Sequence, residues 1–284
     1  MITEAFYKDR KAVILQNEHL SATFLPFDGA KLVSLKDKTQ EEYLAQREGE
    51  RYRVLGIDTG YVSAECSAFD DMFPTVDPCT INNMPYLDHG EVARIPHSFE
   101  IANDAVTFSC RLDTLGINYQ KTAFLKDETL YITYKIQNLN DFSFPYIWAG
   151  HIMLRGEDGV KATSPLQNSP TAIMFGAPQG DIDTLCAFGK SKEWKYYYTS
   201  ELSPFCCAVE YPKSNRKVSV GCSGDTIRYL GVWLNPGDLN NMYNIALEPC
   251  SALYDSPEKA GDTLSYINPH ETIEFTLSFK IESR

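Results

Sequence analysis

Two side chains in predicted β-strands could exchange protons with a neutral ligand, the carboxylate of Glu248 and the imidazole of His151. In the segment MYNIALEP at 242–249, larger apolar residues alternate with small or polar ones, which is the period of a strand. The apolar residues would face a core, and Glu248 would lie on the opposite face, within reach of a ligand. The alternative is an ordinary solvated carboxylate at the end of a strand.

The histidines have two different surroundings in the sequence. His151 lies in FPYIWAGHIML at 144–154, where apolar neighbours on both sides predict a strand that is covered on both faces. A buried imidazole needs a hydrogen-bond partner, so a core histidine without a catalytic role is the alternative to a catalytic one. His89 lies in the loop PYLDHGE at 85–91, where a surface turn is the alternative to a ligand contact.

Motifs of nucleotide and metalloprotease sites are absent from the sequence. It contains no Gly-rich phosphate loop, no Gly-x-Ser-x-Gly elbow and no His-Glu-x-x-His helix. The eight cysteines include no Cys-x-x-Cys pair, which argues against structural zinc and favours reduced thiols. We therefore expect no metal and no cofactor, and any catalysis would proceed by proton transfer.

Composition and charge limit the class of partner. The chain has 284 residues, of which 43% are apolar and 23% charged, within the range of ordinary globular proteins. Its formal net charge of −12 opposes binding to nucleic acid or to an anionic membrane. No apolar run approaches the roughly 20 residues of a spanning helix, and residues 1–10 lack the apolar core of a signal peptide. These features predict a cytoplasmic protein with a small-molecule partner, and they leave its oligomeric state open.

Short apolar or aromatic runs with a period of two dominate the sequence, and turn residues separate them. The predicted strands cover 12–17, 20–25, 31–35, 105–111, 118–124, 130–137, 143–154, 205–211, 217–221, 226–233, 242–247 and 272–280. Their regular spacing predicts an all-β protein, a large antiparallel β-sandwich in which two sheets bury their facing sides.

Two long segments, 56–91 and 162–199, are rich in Pro, Gly, Asn, Asp and Tyr and show no clear period. We predict irregular loops there, and loops of this length inside a compact fold usually carry function. A short helix is predicted over 40–46 alone. Because no repeat, low-complexity tract or charge block divides the chain, we predict a single domain over residues 1–284.

Four segments in this order resemble the aldose 1-epimerase (galactose mutarotase-like) family over nearly the full chain. They are DGAKLVSL at 28–35, DDMFPT at 70–75 with HGEVAR at 89–94, PYIWAGH at 145–151, and WLNP at 233–236 leading to LEP at 247–249. Each is short, so their order and spacing together carry the resemblance. The family resemblance implies a large antiparallel sandwich of the galactose mutarotase-like (supersandwich) type, with a sugar in a cleft on one sheet.

Transferred position by position, the resemblance implies Glu248 as the general base and His151 as the general acid of an aldose 1-epimerase. Such an enzyme interconverts the α and β anomers of a hexose without metal or nucleotide. The resemblance also implies His89 as a sugar-contacting or auxiliary group. The other predicted substrate-binding residues lie in the same segments: Arg94, Asp71 and Trp233.

The sequence departs from the family pattern near the first histidine. The best-known members carry an Arg shortly before it, whereas no Arg lies between Arg53 and Arg94 here, so Arg94 replaces that clamp or the clamp is missing. This difference keeps two alternatives to a hexose epimerase. One is a carbohydrate-binding protein without catalysis, and the other is a hexose 6-phosphate 1-epimerase in which Arg94 or loop lysines would hold the phosphate.

Overall fold

The protein is built from strands that form two large sheets. A computed structural model describes residues 1–178 and 180–283, and the described residues form 22 strands and three 3-10 helices. The strands are β1 (Ile2–Tyr7), β2 (Arg10–Gln16), β3 (Leu20–Leu25), β4 (Lys31–Asp37), β5 (Phe69–Met72), β6 (Cys79–Ile81), β7 (Met84–Tyr86), β8 (Ser98–Ala102), β9 (Ala105–Leu112), β10 (Ile117–Lys126), β11 (Thr129–Asn138), β12 (Phe144–Tyr146), β13 (Ala149–Arg155), β14 (Lys161–Thr163), β15 (Thr171–Phe175), β16 (Trp194–Tyr198), β17 (Phe205–Tyr211), β18 (Arg216–Ser223), β19 (Tyr229–Pro236), β20 (Tyr243–Cys250), β21 (Ser265–Ile267) and β22 (Thr272–Ser283). The 3-10 helices are Tyr61–Ser63, Val92–Arg94 and Gly261–Thr263.

One sheet has ten strands in the spatial order β1-β2-β3-β4-β5-β13-β20-β19-β16-β15. The other has eight, in the order β14-β17-β18-β22-β11-β10-β9-β8, and two short pairs, β12-β21 and β6-β7, lie outside both. Paired strands are antiparallel, which confirms the predicted antiparallel β-sandwich. Within the described part of the chain, no helix is long and apolar enough to span a membrane.

Alternate residues of the strands fill the space between the two sheets. The rings of Phe69 on β5 and Phe279 on β22 lie 5.5 Å apart, and those of Phe24 on β3 and Phe108 on β9 lie 5.2 Å apart. Leu247 on β20 is fully buried in the same apolar cluster. The next residue along β20, Glu248, therefore points away from this core, as the alternation of side chains along a strand requires.

A buried ion pair also joins the two sheets. The ammonium of Lys121 on β10 donates to Asp71 on β5 at 2.6 Å, and the hydroxyl of Tyr134 on β11 donates to the other carboxylate oxygen at 2.8 Å. The side chains of Lys121 and Asp71 are 1% and 0% exposed, respectively. A pair this deeply buried is held by its mutual neutralisation, because either charge alone in the core would be strongly unfavourable.

Lys121→Met is expected to lower the free energy of unfolding by about 3–5 kcal/mol, since it leaves the Asp71 carboxylate buried without a counter-charge. The matched control is Lys135→Met on neighbouring β11, where the ion pair with Glu274 is half-exposed. We expect that variant to lose no more than about 1 kcal/mol. Urea unfolding followed by tryptophan fluorescence measures both, and equal losses in the two variants would contradict the account of the buried pair.

The predicted helix over 40–46 is wrong. The chain is extended there, with an isolated bridge between Lys36 and Glu42 and another between Leu44 and Leu154. The amide of Tyr43 donates to Leu35, and that of Ala45 donates to Met153. These hydrogen bonds, together with complete burial of the Tyr43 and Leu44 side chains, outweigh a weak local helix propensity.

The two predicted irregular segments contain regular structure. Segment 56–91 includes β5 to β7, and segment 162–199 includes β15 and the buried strand β16. β16 lies between β19 and β15 in the ten-stranded sheet. The predicted strand over 143–154 is divided into β12 and β13, which belong to different sheets.

Candidate active site

Five neighbouring strands of the ten-stranded sheet place one residue each in a row. Asp70 on β5 pairs with His151 on β13, Glu248 on β20 pairs with Gly231 on β19, and Gly231 pairs with Tyr197 on β16. This row lies on the face turned away from the other sheet. Gly231 keeps the middle of the row open, because a Cβ there would lie 2.8 Å from the Tyr197 ring.

A cavity of about 240 Å³ opens on this row. Four residues predicted from the sequence line it: Glu248, His151, His89 and Trp233. The remaining walls include side chains of the segment 56–91, such as Tyr61 and Asp77. Pockets for drug-sized ligands measure roughly 300–1,000 Å³, so this somewhat smaller cavity suits one small molecule.

The carboxylate of Glu248 and the imidazole of His151 lie side by side at the cavity. Nε2 of His151 is 3.8 Å from Oε1 of Glu248, and the two side chains are 6% and 0% exposed, respectively. In the described residues, Oε1 of Glu248 and Nδ1 of His151 have no hydrogen-bond partner, whereas Oε2 of Glu248 lies 2.8 Å from the Lys195 ammonium. Buried polar atoms normally have partners, so unpaired ones beside a cavity are expected to meet a ligand or water.

Burial moves the two pKa values toward each other. It raises the pKa of Glu248, an effect that the nearby Lys195 ammonium partly opposes. The pKa of His151 lies well below its usual value because of burial and, next, because of the neighbouring His89 and Lys195 side chains. Both shifts favour a protonated carboxyl and a neutral imidazole, which are the forms that the pair has after Glu248 accepts a proton and His151 donates one.

Tyr61 and His89 form an aromatic wall of the cavity. Their rings are stacked with centroids 3.8 Å apart, and the Tyr61 ring meets His151 edge-on at 5.5 Å. The hydroxyl of Tyr61 donates to Asp70 at 2.8 Å, and Nδ1 of His89 lies 2.7 Å from Asp88. These contacts fix the position of His89 relative to the row on the sheet.

Gly90 sets the turn that carries His89. Its φ is +70°, and a Cβ would lie 2.0 Å from the carbonyl oxygen of Phe73. Both the left-handed backbone and the approach to Phe73 therefore require glycine at this position.

Gly90→Ala is expected to destabilise the protein by at least about 2 kcal/mol, because the left-handed conformation alone costs about 1–2 kcal/mol and the overlap with Phe73 adds to it. Gly189→Ala is the matched control: Gly189 has a φ of +69° and open space around its Cβ position. It is expected to lose only the conformational part, about 1 kcal/mol. Thermal unfolding compares the two variants, and an equal loss would show that the approach to Phe73 does not matter.

Trp233 also lines the cavity. Its ring centroid lies 5.4 Å from that of His151, and its indole N–H donates to Glu193 at 2.8 Å. Burial raises the pKa of Glu193. An aromatic face beside polar groups suits a sugar, whose C–H patches stack on rings while its hydroxyls bind polar partners.

Two further residues line the cavity, Lys195 and Asp255, and neither is predicted from the sequence. The ammonium of Lys195 lies 2.8 Å from Oε2 of Glu248 and 2.6 Å from Oδ1 of Asp255. Lys195 belongs to β16, inside the segment predicted as a loop. The available signal is the run WKYYY at 194–198, in which one lysine interrupts residues of high β propensity.

Two predicted substrate-binding residues, Arg94 and Asp71, lie outside the cavity. The guanidinium of Arg94 donates to the backbone carbonyls of Gly90, Gly56 and Thr59, which holds the loop in place instead of a ligand. Asp71 is bound to Lys121 in the core. It follows Asp70 directly on β5, so its side chain lies on the opposite face of the sheet from that of Asp70. In the described part of the chain, no cluster of three His, Cys, Asp or Glu side chains could hold a metal ion.

Comparison with known proteins identifies the fold. No family model matches the sequence, and no curated protein is significantly similar to it. Among solved structures, a galactose mutarotase-like protein from Lactobacillus casei is 17% identical, with 95% of this chain and 100% of that chain covered and a TM-score of 0.69. A galactose mutarotase related enzyme from Lactobacillus acidophilus is 16% identical, with 96% and 97% covered and a TM-score of 0.66. A galactose mutarotase-like protein from Clostridium acetobutylicum is 15% identical, with 100% and 99% covered and a TM-score of 0.67. The chain therefore has the fold of the galactose mutarotase-like proteins, the family that its sequence segments resemble.

Proposed function

We propose that the protein is an aldose 1-epimerase that interconverts the α and β anomers of a hexose, with Glu248 as general base and His151 as general acid. The observation that carries the proposal is the 3.8 Å contact between Nε2 of His151 and Oε1 of Glu248 at the cavity. The fold shared with a galactose mutarotase related enzyme supports the same reaction class.

Anomer exchange needs one proton acceptor and one donor near C1 of the sugar. Glu248 takes the proton of the O1 hydroxyl while His151 gives a proton to the ring oxygen O5. The C1–O5 bond breaks, the aldehyde rotates about C1–C2, and reclosure with the two roles reversed forms the other anomer. The pair carries one proton before and after ring opening, so the step needs no net exchange with solvent.

The charges of the cavity favour an uncharged sugar over a sugar phosphate. Its lining includes the carboxylates of Asp77, Glu193, Glu248 and Asp255. Among the described lining residues, Lys195 is the one Lys or Arg, and it already contacts two of these carboxylates. A phosphate in the same cavity would meet like charges, which costs several kcal/mol.

Polarimetry of freshly dissolved α-glucose and α-galactose tests the proposal. We expect the wild-type protein to accelerate relaxation of at least one free hexose above the buffer rate, and to act at least about tenfold less on the corresponding 6-phosphate. Relaxation at the buffer rate with every sugar would overturn the proposal. If calorimetry then detected sugar binding, the protein would be a carbohydrate-binding protein without this activity.

A further inference from the structure

Lys195 is a buried cation between two carboxylates. Its side chain is 7% exposed, and its ammonium contacts Oε2 of Glu248 on one side and Oδ1 of Asp255 on the other, at 2.8 and 2.6 Å. The loop after β20 supplies Asp255, so this contact ties two strands of the sheet to that loop. A buried ammonium is tolerated only where opposite charges compensate for its lost hydration, and here two of them do.

Asp255 holds the Lys195 ammonium in place. Its Oδ1 accepts hydrogen bonds from Lys195 at 2.6 Å and from the Tyr197 hydroxyl at 2.8 Å. Lys195 and Tyr197 lie two residues apart on β16, so both reach the same face of the sheet. The ammonium is therefore anchored by groups other than Glu248, and it can act on Glu248 from a defined position.

Glu248, in contrast, lacks other support. Apart from the Lys195 ammonium, no described residue donates a hydrogen bond to its oxygens, and Gly231, opposite it on β19, offers no side chain. The contact with Lys195 is made by Oε2, which leaves Oε1 toward His151 and the cavity. Lys195 thus determines which oxygen of the carboxylate is available to a ligand.

We propose that Lys195 is a positioning residue for anomer exchange: anchored by Asp255 and Tyr197, it keeps the Glu248 carboxylate ionised and directs Oε1 at the substrate. The role of Lys195 in catalysis rests on the proposed function. The effect of Lys195 on Glu248 is a property of the protein itself and can be measured without any substrate.

The neighbouring charges determine in which direction each substitution shifts the pKa of Glu248. Among the described residues, the titratable groups that line the cavity or interact with Glu248 from the adjoining strands are Tyr61, Cys66, Asp77, His89, His151, Glu193, Lys195, Tyr197, Cys250 and Asp255. Removing the positive charge of Lys195 raises the pKa of Glu248, because it destabilises the carboxylate. Removing the negative charge of Asp255 lowers it, because Asp255 itself raises the pKa of Glu248.

The test is a titration of the Glu248 side-chain carboxyl carbon by ¹³C NMR in protein with labelled glutamate, with the signal assigned by its loss in Glu248→Gln. Relative to wild type, we expect the midpoint to move up by roughly one to three pH units in Lys195→Met and to move down in Asp255→Asn. Lys195→Arg keeps the charge, and its midpoint should stay within about half a pH unit of wild type. The low-pH limb of the kcat/KM profile for anomer exchange should move in the same directions.

A midpoint in Lys195→Met or Asp255→Asn that stays at the wild-type value, or shifts of both in one direction, would overturn the inference. If Lys195→Met fails to fold, Asp255→Asn and Lys195→Arg still decide it, because a downward shift in the first and no shift in the second are both required. Failure of the proposed function has a different result: the wild-type protein leaves anomer exchange at the buffer rate while the midpoints still move in opposite directions.

Discussion

Replacing Glu248 with Gln is expected to lower the rate of anomer exchange by about 10²–10⁴-fold, the usual contribution of a general base. An amide has almost the same shape as the carboxylate but does not accept the O1 proton. The fold should persist, because the Lys195–Asp255 contact remains and the amide oxygen of Gln can still accept a hydrogen bond from Lys195. Polarimetry with α-glucose or α-galactose measures the loss directly.

Glu193→Gln is the matched control for this experiment. Glu193 lines the same cavity and accepts a hydrogen bond from Trp233, but it has no part in the proposed proton transfers. We expect it to change the rate by less than about tenfold, since a hydrogen bond to the indole survives the substitution. If both variants lost activity equally, the loss would come from the charge of the cavity and not from a base at position 248.

His151→Asn is the second substitution with a large expected effect, again about 10²–10⁴-fold on the rate of anomer exchange. Asparagine fills part of the space of the imidazole but cannot donate a proton to O5 as a general acid. His19→Asn is the control, because His19 lies in the turn between β2 and β3, does not line the cavity, and contacts Glu18. Its rate should equal that of wild type.

The double variant Glu248→Gln with His151→Asn distinguishes joint action from two independent effects. Residues that act as one unit lose little more together than the worse of the two loses alone. We expect the double variant to relax a hexose within about tenfold of the slower single variant. Losses that multiply would indicate that the carboxylate and the imidazole serve separate steps or separate ligands.

Much of the fold follows from local sequence pattern. The strands predicted over 20–25 and 205–211 have the observed bounds, because a period of two in apolar residues and flanking turn residues are local features. β16 was missed because composition over the long segment 162–199 masked a five-residue strand. Its strand character comes from pairing with β19 and β15, and such contacts are tertiary.

The site was predictable in part for the same reason. Alternation along β20 places Glu248 away from the core, and this follows from the sequence of one strand. The register between strands does not follow from one strand alone. The sequence therefore predicts Asp71 as a substrate-binding residue, although it is Asp70 that pairs with His151 and shares its face of the sheet. Lys195 and Asp255 reach Glu248 only through the order of the strands in the sheet, which no single segment encodes.

The most direct test of the central claim is two-dimensional exchange NMR on equilibrated glucose and galactose, which measures the rate of anomer exchange at C1. We expect catalytic amounts of wild-type protein to raise this rate above the buffer value for at least one sugar. With Glu248→Gln, shown to be folded by circular dichroism, we expect the rate to return to nearly the buffer value. Equal exchange rates for wild type and Glu248→Gln would contradict the claim that Glu248 and His151 act together on one sugar.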